Sequence, residues 1–196
     1  MKPIVVASTN AHKIKEIAAI LKPYGWGVKS LLDFPNIPDV RETGSTFEEN
    51  AILKATTIAE VLNQPVLADD SGIEVDALNG MPGVLSARWA GSQKNDEANL
   101  NLLLSQLADV PTERRTARYV CVAAYADPAG EIKTARGEWQ GVVATAPVGS
   151  NGFGYDPIFF LPDLAKTVAE LSLETKDSLS HRLHAFTRLA ALIGQI

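Results

Sequence analysis

The chain has 196 residues, one cysteine and a formal net charge of −5. A single cysteine cannot form an internal disulfide, and this usage is typical of a reducing compartment, so we expect a cytoplasmic location. The acidic balance argues against a general nucleic-acid surface. The N-terminal apolar run is too short for a secretory or membrane-spanning segment, so we expect no membrane partner.

The first predicted elements are a strand and a helix with polar residues between them. Residues 3–7 are an apolar run typical of a buried strand, and residues 11–21 place their apolar side chains on one helical face. A helix N-terminus carries free N–H groups and a partial positive charge, which suit an anion. Ordinary helix capping followed by a solvated lysine explains this junction equally well. The candidate phosphate-binding residues here are Ser8, Thr9, Asn10, Ala11, His12 and Lys13.

A proline-rich segment precedes the second predicted helix. Residues 30–44 have no regular periodicity, and Ser45 and Glu48 then match a capping box that opens a helix running to Leu62. Asn50 and Lys54 lie four residues apart and therefore share one face of that helix. Taken alone, this face is explained more simply as polar and solvated.

Two adjacent aspartates follow a short predicted strand at residues 66–68. Strand ends in α/β sheets are common ligand sites, and carboxylates there suit a hard divalent ion that also binds phosphate oxygens. Asp69 and Asp70 are followed by Ser71 and Gly72. Because neighbours in an extended segment point to opposite sides, we expect only one of the two aspartates to reach the ion. An acidic turn is the alternative.

The middle of the chain predicts a loop, a helix and a hairpin. Residues 79–92 are glycine-rich, and Asp96 is the predicted cap of a helix that carries Leu107. Residues 115–126 alternate as a strand does, and residues 131–144 return as its hairpin partner. Together with the first strands and helices, this order predicts an α/β protein with a mixed sheet.

The last third of the chain contains a second glycine-rich segment and a basic segment. Phe153 lies between two glycines, where it is poorly placed for a core but well placed to stack on a flat base. A plain turn with one buried aromatic is the alternative. Lys176, His181 and Arg182 surround the start of the last predicted helix, near Ser180. Basic residues are unfavourable at that end of a helix, which hints at a function.

These segments in this order resemble the inosine triphosphate pyrophosphatase family (the Ham1/RdgB type), and the resemblance spans nearly the whole chain. Thr9 and His12 depart from it, since family members often carry glycine there. The matching motifs are Ser8-x-Asn10-x-x-Lys13, Glu42-Thr-Gly44, Phe47-x-x-Asn50-Ala-x-x-Lys54-Ala, Ala68-Asp-Asp-Ser-Gly72, Pro82-Gly83-x-x-Ser86-Ala-Arg88, Gly152-Phe-Gly-Tyr-Asp-Pro157 and Ser180-His-Arg182.

The resemblance implies an elongated, two-lobed α/β fold. Its mixed β-sheet is flanked by helices, its active-site cleft lies between the lobes, and residues 1–196 form a single domain. It also implies a homodimer and the Mg²⁺-dependent hydrolysis of ITP, dITP and XTP to the monophosphate and pyrophosphate. By position, Asp70 is the proton acceptor and a metal ligand, and Glu42 is a further metal ligand. The implied phosphate-binding positions are Ser8 to Lys13, Lys54 and Ser71, and the implied base-binding positions are Phe153, Gly154, Tyr155, Asp156, Lys176, His181 and Arg182.

The resulting mechanistic hypothesis places Mg²⁺ between Glu42, Asp70 and the phosphates. Asp70 orients or deprotonates a water that attacks the α-phosphorus, and pyrophosphate leaves. Lys13 and Lys54 neutralise the charge that shifts toward the leaving group. Arg182 donates to the 6-oxo group of the base, which adenine lacks.

Three alternatives are open at this point. A Maf-like nucleotide pyrophosphatase has a related fold but prefers other bases. A non-catalytic nucleotide-binding module is disfavoured because paired carboxylates repel a triphosphate unless a metal intervenes. An RNA-binding protein is disfavoured by the net charge and by the lack of interleaved basic and aromatic residues.

Overall fold

A computed structural model describes residues 1–93 and 95–194 of the chain. Within these residues the strands are Lys2–Val6 (β1), Trp26–Ser30 (β2), Val66–Val75 (β3), Thr116–Ala126 (β4), Ile132–Val143 (β5), Phe159–Leu161 (β6) and Lys166–Thr167 (β7). The α-helices are Ala11–Leu21 (α1), Phe47–Leu62 (α2), Asp96–Gln106 (α3), Leu173–Leu179 (α4) and His181–Ile193 (α5).

The strands form one mixed sheet with the order β2-β1-β3-β4-β5-β6-β7. β1 pairs in parallel with both β2 and β3, whereas β6 pairs antiparallel with β5 and with β7. The predicted α/β class with a mixed sheet is therefore confirmed.

The chain divides into two compact units. The first unit contains residues 1–70, residues 121–137 and the C-terminal segment from His181, and the second contains residues 71–120 and 138–180. Strands β3, β4 and β5 each contribute residues to both units. The expectation of a single domain over residues 1–196 with a cleft between lobes stays a prediction.

Each unit has its own hydrophobic core. In the first unit, Ile17 and Leu21 of α1 pack in one buried cluster with Phe186 and Leu189 of α5. In the second, Leu103 of α3 belongs to a buried cluster with the aromatic residues of β4 and β6. Burial of their apolar faces holds helices α1, α3 and α5 in place.

Two predicted helix caps were wrong by one residue. Thr46, not Ser45, caps α2: its Oγ1 accepts the N–H of Glu49 at 3.1 Å, and Glu49, not Glu48, completes the capping box. The reason is that the first helical residue is the buried Phe47, which makes the extended residue before it the cap. Residue 95 is likewise the cap of α3, since Asn95 Oδ1 accepts the N–H of Ala98 at 3.0 Å. Asp96 lies in the first turn instead.

Strand β3 is longer than predicted. It continues from Val66 through the acidic pair to Val75, so Asp69 and Asp70 lie inside a strand and not after its end. Both carboxylates are buried with hydrogen-bond partners, which removes the cost of placing them in a sheet. The short elements β2, β7 and α4 were not predicted, because segments of two to seven residues give little periodic signal.

Strand β4 also differs from its prediction. Its alternating apolar residues suggested one buried face, yet every residue from Tyr119 to Ala126 is buried. A central strand with neighbours on both sides explains this, because small residues such as Ala124 fill the other face. No helix within residues 1–93 and 95–194 has the length and apolar character needed to cross a membrane.

Candidate active site

The polar segment before α1 is a helix cap. Asn10 Oδ1 accepts the N–H groups of His12 and Lys13 at 3.0 and 3.2 Å, and Ser8 Oγ accepts the N–H of Asn10 at 3.1 Å. The capping interpretation is therefore right for Ser8 and Asn10. Thr9, Asn10 and His12 are exposed, so this cap is open to a ligand.

Lys13 is not a solvated lysine. Its ammonium nitrogen lies 2.9 Å from Oδ2 of Asp69, whose side chain is 3% exposed. The two residues are 56 positions apart in the chain, and the parallel pairing of β1 with β3 brings them together. The first helical turn of α1 thus carries a positive charge that is held in place by the sheet.

Glu42 and Asp70 meet at one ammonium group. The Lys54 nitrogen lies 2.5 Å from Oε1 of Glu42 and 3.9 Å from Oδ1 of Asp70. Asn50, one turn earlier on α2, donates from its amide to Oδ2 of Asp70 at 3.0 Å and accepts the N–H of Gly44 at 2.7 Å. The predicted shared face of α2 is therefore directed at the predicted metal ligands, and it is not a solvated face.

The two adjacent aspartates have opposite electrostatic environments. Burial disfavours the charged form of Asp69, but Lys13 and Arg182 outweigh it and hold the pKa of this carboxyl well below its usual range. Burial raises the pKa of Asp70, although the Lys54 charge opposes this rise. Burial alone would lower the pKa of Lys54, but the nearby carboxylates outweigh burial and raise it.

Arg182 is buried among the same charges. Its Nη1 donates to Oε2 of Glu16 at 2.5 Å, and its Nε lies 3.6 Å from Oδ2 of Asp69. Its neighbour His181 is also buried. The charges that meet in the first unit are called the ionic cluster below: Lys13, Glu16, Glu42, Lys54, Asp69, Asp70 and Arg182.

Residues 152–156 of the second unit, called the aromatic loop below, are organised by one carboxylate. Asp156 accepts the hydroxyl of Tyr119 at 3.0 Å, the N–H of Phe153 at 2.9 Å and the ammonium of Lys176 at 2.5 Å. Gly152 has a φ of +79°, and a Cβ there would meet the Asp156 carboxylate. A glycine is therefore required for this turn to close.

The side chains of the aromatic loop differ in exposure. The Phe153 ring is 50% exposed, and the Lys176 ammonium lies 4.7 Å from its centroid. Tyr155 is buried, and its hydroxyl donates to the carbonyl of Ser86 at 2.8 Å. A cavity of about 500 Å³ lies between this loop and the start of α3. Phe153 thus offers the ring surface that stacking needs, whereas Tyr155 anchors the loop.

The predicted site residues fall into two groups. The first unit holds Ser8, Thr9, Asn10, Ala11, His12, Lys13, Glu42, Asn50, Lys54, Asp70, His181 and Arg182, and the second holds Ser71, Phe153, Gly154, Tyr155, Asp156 and Lys176. The predicted base-binding residues are therefore divided, since His181 and Arg182 belong to the first unit. Sequence reasoning missed Glu16 and Tyr119, because nothing in their spacing indicated partners so distant in the chain.

The donor set of the ionic cluster fits a divalent ion. Within residues 1–93 and 95–194, no three His, Cys, Asp or Glu side chains are grouped to hold a metal without other ligands. Glu42 and Asp70 nevertheless flank a cation, the Lys54 ammonium. One or two carboxylates combined with substrate phosphate oxygens and water are the usual ligands of Mg²⁺, so these residues fit that ion.

An α/β fold whose lysines pair with buried carboxylates suits an enzyme that acts on phosphorylated substrates. The Ham1 family model matches residues 4–192, and the chain belongs to this family.

Similar sequences and solved structures agree with this assignment. A dITP/XTP pyrophosphatase of Geobacillus kaustophilus is 53% identical over 96% of this chain and 93% of its own length. One from Bacillus subtilis is 47% identical, with 98% of both chains covered. The solved Ham1 protein of Staphylococcus aureus aligns with a TM-score of 0.90 at 47% identity over 99% of both chains. A HAM1 protein from Coxiella burnetii gives a TM-score of 0.91 at 39% identity over the full length of both.

Proposed function

We propose that this chain hydrolyses the non-standard purine nucleotides ITP, dITP and XTP to the monophosphate and pyrophosphate, and so removes them from the nucleotide pool. Membership of the Ham1 family and the names of its relatives support this reaction. The observation that carries the proposal is the convergence of Glu42 and Asp70 on Lys54, beside the Lys13–Asp69 pair.

The ionic cluster provides the groups that the reaction needs. Lys13 and Lys54 neutralise negative charge on the phosphates as it moves toward the leaving pyrophosphate. Asp70 orients the attacking water and accepts its proton. Burial raises the pKa of Asp70 in the metal-free chain, and the Lys54 charge opposes this rise. Asn50 keeps the same carboxylate in place through its amide.

Nucleotide pyrophosphatases generally use a divalent metal. In this chain we assign Glu42 and Asp70 as the residues that would hold Mg²⁺, with the remaining ligands from phosphate and water. When bound, the ion would act as a Lewis acid and lower the pKa of the attacking water. Lys54 keeps the two carboxylates together through its own charge.

Base selection is assigned to the aromatic loop and to Lys176, whose ammonium lies 4.7 Å from the centroid of the Phe153 ring. The exposed ring of Phe153 is a surface for base stacking. The 6-oxo group of hypoxanthine and xanthine accepts hydrogen bonds, whereas the 6-amino group of adenine donates them. A donor such as Lys176 therefore favours the former, and a mismatch of this type discriminates by roughly 10⁴-fold. Rejection of guanine must depend on its 2-amino group.

A nucleotide panel tests the proposal. Pyrophosphate release would be measured with a malachite-green assay, coupled to inorganic pyrophosphatase, for ITP, dITP, XTP, ATP, GTP, dTTP and UTP. We expect rapid release from the first three nucleotides with Mg²⁺. Reactions in excess EDTA are followed by chromatography of the nucleoside monophosphate, because the coupling enzyme itself needs Mg²⁺, and we expect no product there. Equal rates on ATP, or a preference for dTTP and UTP, would contradict the proposed substrate class. Nucleotide binding without pyrophosphate release would instead support a non-catalytic module.

The finer statements about assembly and location are also proposals. We propose a homodimer, which the resemblance to the family supports, and a cytoplasmic location, which the single cysteine supports. Light scattering coupled to size-exclusion chromatography measures the former, and fractionation of cells measures the latter. A mass of about one chain, 21.0 kDa, would contradict the dimer.

A further inference from the structure

The acidic pair of strand β3 serves two different groups of residues. The Asp69 carboxylate has Lys13 at 2.9 Å and the Nε of Arg182 at 3.6 Å. The Asp70 carboxylate has the Asn50 amide at 3.0 Å and Lys54 at 3.9 Å. Alternation along the strand directs the two side chains to opposite sides, so adjacent residues meet different partners.

We propose that Asp69 is a positioning residue that holds Lys13 in place for the substrate phosphates, and that it is not a metal ligand. This inference rests on the proposed function. Lysine is flexible, with four rotatable bonds and a charge at the end. An exposed lysine would sample many positions, whereas the Lys13 ammonium is bound to a carboxylate that is itself 3% exposed.

Asp69 Oδ2, which binds Lys13, also lies near a second cation. The guanidinium of Arg182 is bound by Glu16 at 2.5 Å and lies against Asp69. Glu16 is on α1 and Arg182 is on α5, and these two helices pack together in the core of the first unit. The carboxylate that holds Lys13 is thus held by two packed helices and one strand.

The same contacts argue against a metal at Asp69. Its carboxylate already faces two cations, so an incoming divalent ion would be repelled by both and would have to displace one of them. Asp70 and Glu42 have only one ammonium between them, at 3.9 and 2.5 Å, so a divalent ion that binds both carboxylates meets a single cation there. The two aspartates therefore have different roles: Asp69 orients the Lys13 ammonium, and Asp70 acts on the metal ion and the attacking water.

A double-mutant cycle tests this division of work. The variants are Asp69→Asn, Lys13→Met and the double variant, and kcat, KM for ITP and the Mg²⁺ concentration for half-maximal rate are measured for each. We expect each single change to lower kcat/KM by roughly 10- to 100-fold. The double variant should be no slower than Lys13→Met, because Asp69 acts through Lys13. The Mg²⁺ requirement of Asp69→Asn should stay within about twofold of the unaltered chain, since the metal ligands are untouched.

Glu42→Gln is the matched control, and we expect it to raise the Mg²⁺ requirement. Effects of Asp69→Asn and Lys13→Met that multiply, or a Mg²⁺ requirement that rises in Asp69→Asn as it does in Glu42→Gln, would overturn the inference. Circular dichroism checks the fold of each variant. If Asp69→Asn does not fold, Asp69→Glu keeps the charge and moves the carboxylate by one methylene, and the same two outcomes apply to it. Failure of the unaltered chain to hydrolyse ITP would instead refute the proposed function.

Discussion

The ionic cluster and the aromatic loop both contain a buried aspartate–lysine ion pair, but they suit different ligand chemistry. In each, a buried aspartate holds a lysine ammonium: Asp69 holds Lys13 at 2.9 Å, and Asp156 holds Lys176 at 2.5 Å. In the cluster, further charges of both signs surround the pair. In the loop, the pair has a half-exposed aromatic ring beside it, that of Phe153.

This difference fits the ligand group that we propose for each region. A buried ion pair is costly unless its remaining hydrogen-bonding capacity is used. Asp156 uses that capacity on neutral donors, Tyr119 and the N–H of Phe153, and so leaves little net charge at the loop. In the ionic cluster, the neighbours of the ion pair are themselves charged, and charged groups suit a triphosphate with its metal ion. Lys13 and Lys176 are each paired with a buried aspartate, but the groups around each pair suit different parts of a nucleotide.

The largest expected effect is a loss of kcat, with much less change in nucleotide affinity, when Asp70 of the ionic cluster is replaced. Asp70→Asn should lower kcat for ITP by about 10³-fold, because it removes the carboxylate that we propose as the proton acceptor, while nucleotide binding partly survives. Steady-state kinetics and calorimetric titration with a non-hydrolysable ITP analogue measure the two. Asp163→Asn, at an exposed position, is the control and should leave both unchanged. A near-normal kcat in Asp70→Asn would remove this residue from the mechanism.

The next effect belongs to the aromatic loop. Phe153→Ala should raise KM for ITP by roughly 10-fold or more with a smaller change in kcat, because stacking on a base contributes about 1–3 kcal/mol. Leu164→Ala, another exposed apolar residue of the second unit, should change neither. Equal effects of the two substitutions on KM would show that Phe153 has no special part in base binding.

A pair of glycine substitutions sharpens the contrast between the regions. A Cβ at Gly44 would meet Asn50, and one at Gly152 would meet the Asp156 carboxylate. Gly44→Ala should therefore lower kcat and Gly152→Ala should raise KM, each by roughly 10-fold.

Gly25→Ala provides the control for Gly152. Its φ of +80° is nearly the same, but nothing lies within 4 Å of a Cβ there. It should destabilise the chain by about 1 kcal/mol, measured by thermal unfolding, without altering KM. A KM change in Gly25→Ala as large as that in Gly152→Ala would assign the effect to backbone strain alone.

The smallest expected effect concerns Cys121, which lies beneath the cluster. This thiol is fully buried, with its sulfur 3.9 Å from Asp69. Burial raises the pKa of Cys121 well above its ordinary value, and the negative charge of Asp69 adds to this, so the thiolate is not populated at neutral pH. We expect no reaction with a thiol reagent over hours in the folded chain and one equivalent in guanidinium chloride. Rapid labelling of the folded chain would show that a thiol reagent can reach Cys121, and that this side of the ionic cluster is accessible to solvent.

Much of this arrangement could be predicted from local sequence patterns. The bounds of α1 agree with its apolar periodicity, and the opposite directions of Asp69 and Asp70 follow from strand geometry. The partners of those aspartates could not be predicted, because Lys13 and Asp69 meet only through strand pairing over 56 residues. The predicted cap of α2 was wrong for another reason: Ser45 and Thr46 are equally good cap residue types, and the burial of Phe47 favours Thr46.

The Asn50 carboxamide has a consequence for how the ionic cluster is held together. Its oxygen is bound to the backbone of Gly44 and its nitrogen to Asp70, so one short side chain couples a loop to the central sheet. Glu42 lies two residues before Gly44 on that loop. Replacing Asn50 by alanine would remove both hydrogen bonds, and with them the side-chain link between the loop that carries Glu42 and the strand that carries Asp70.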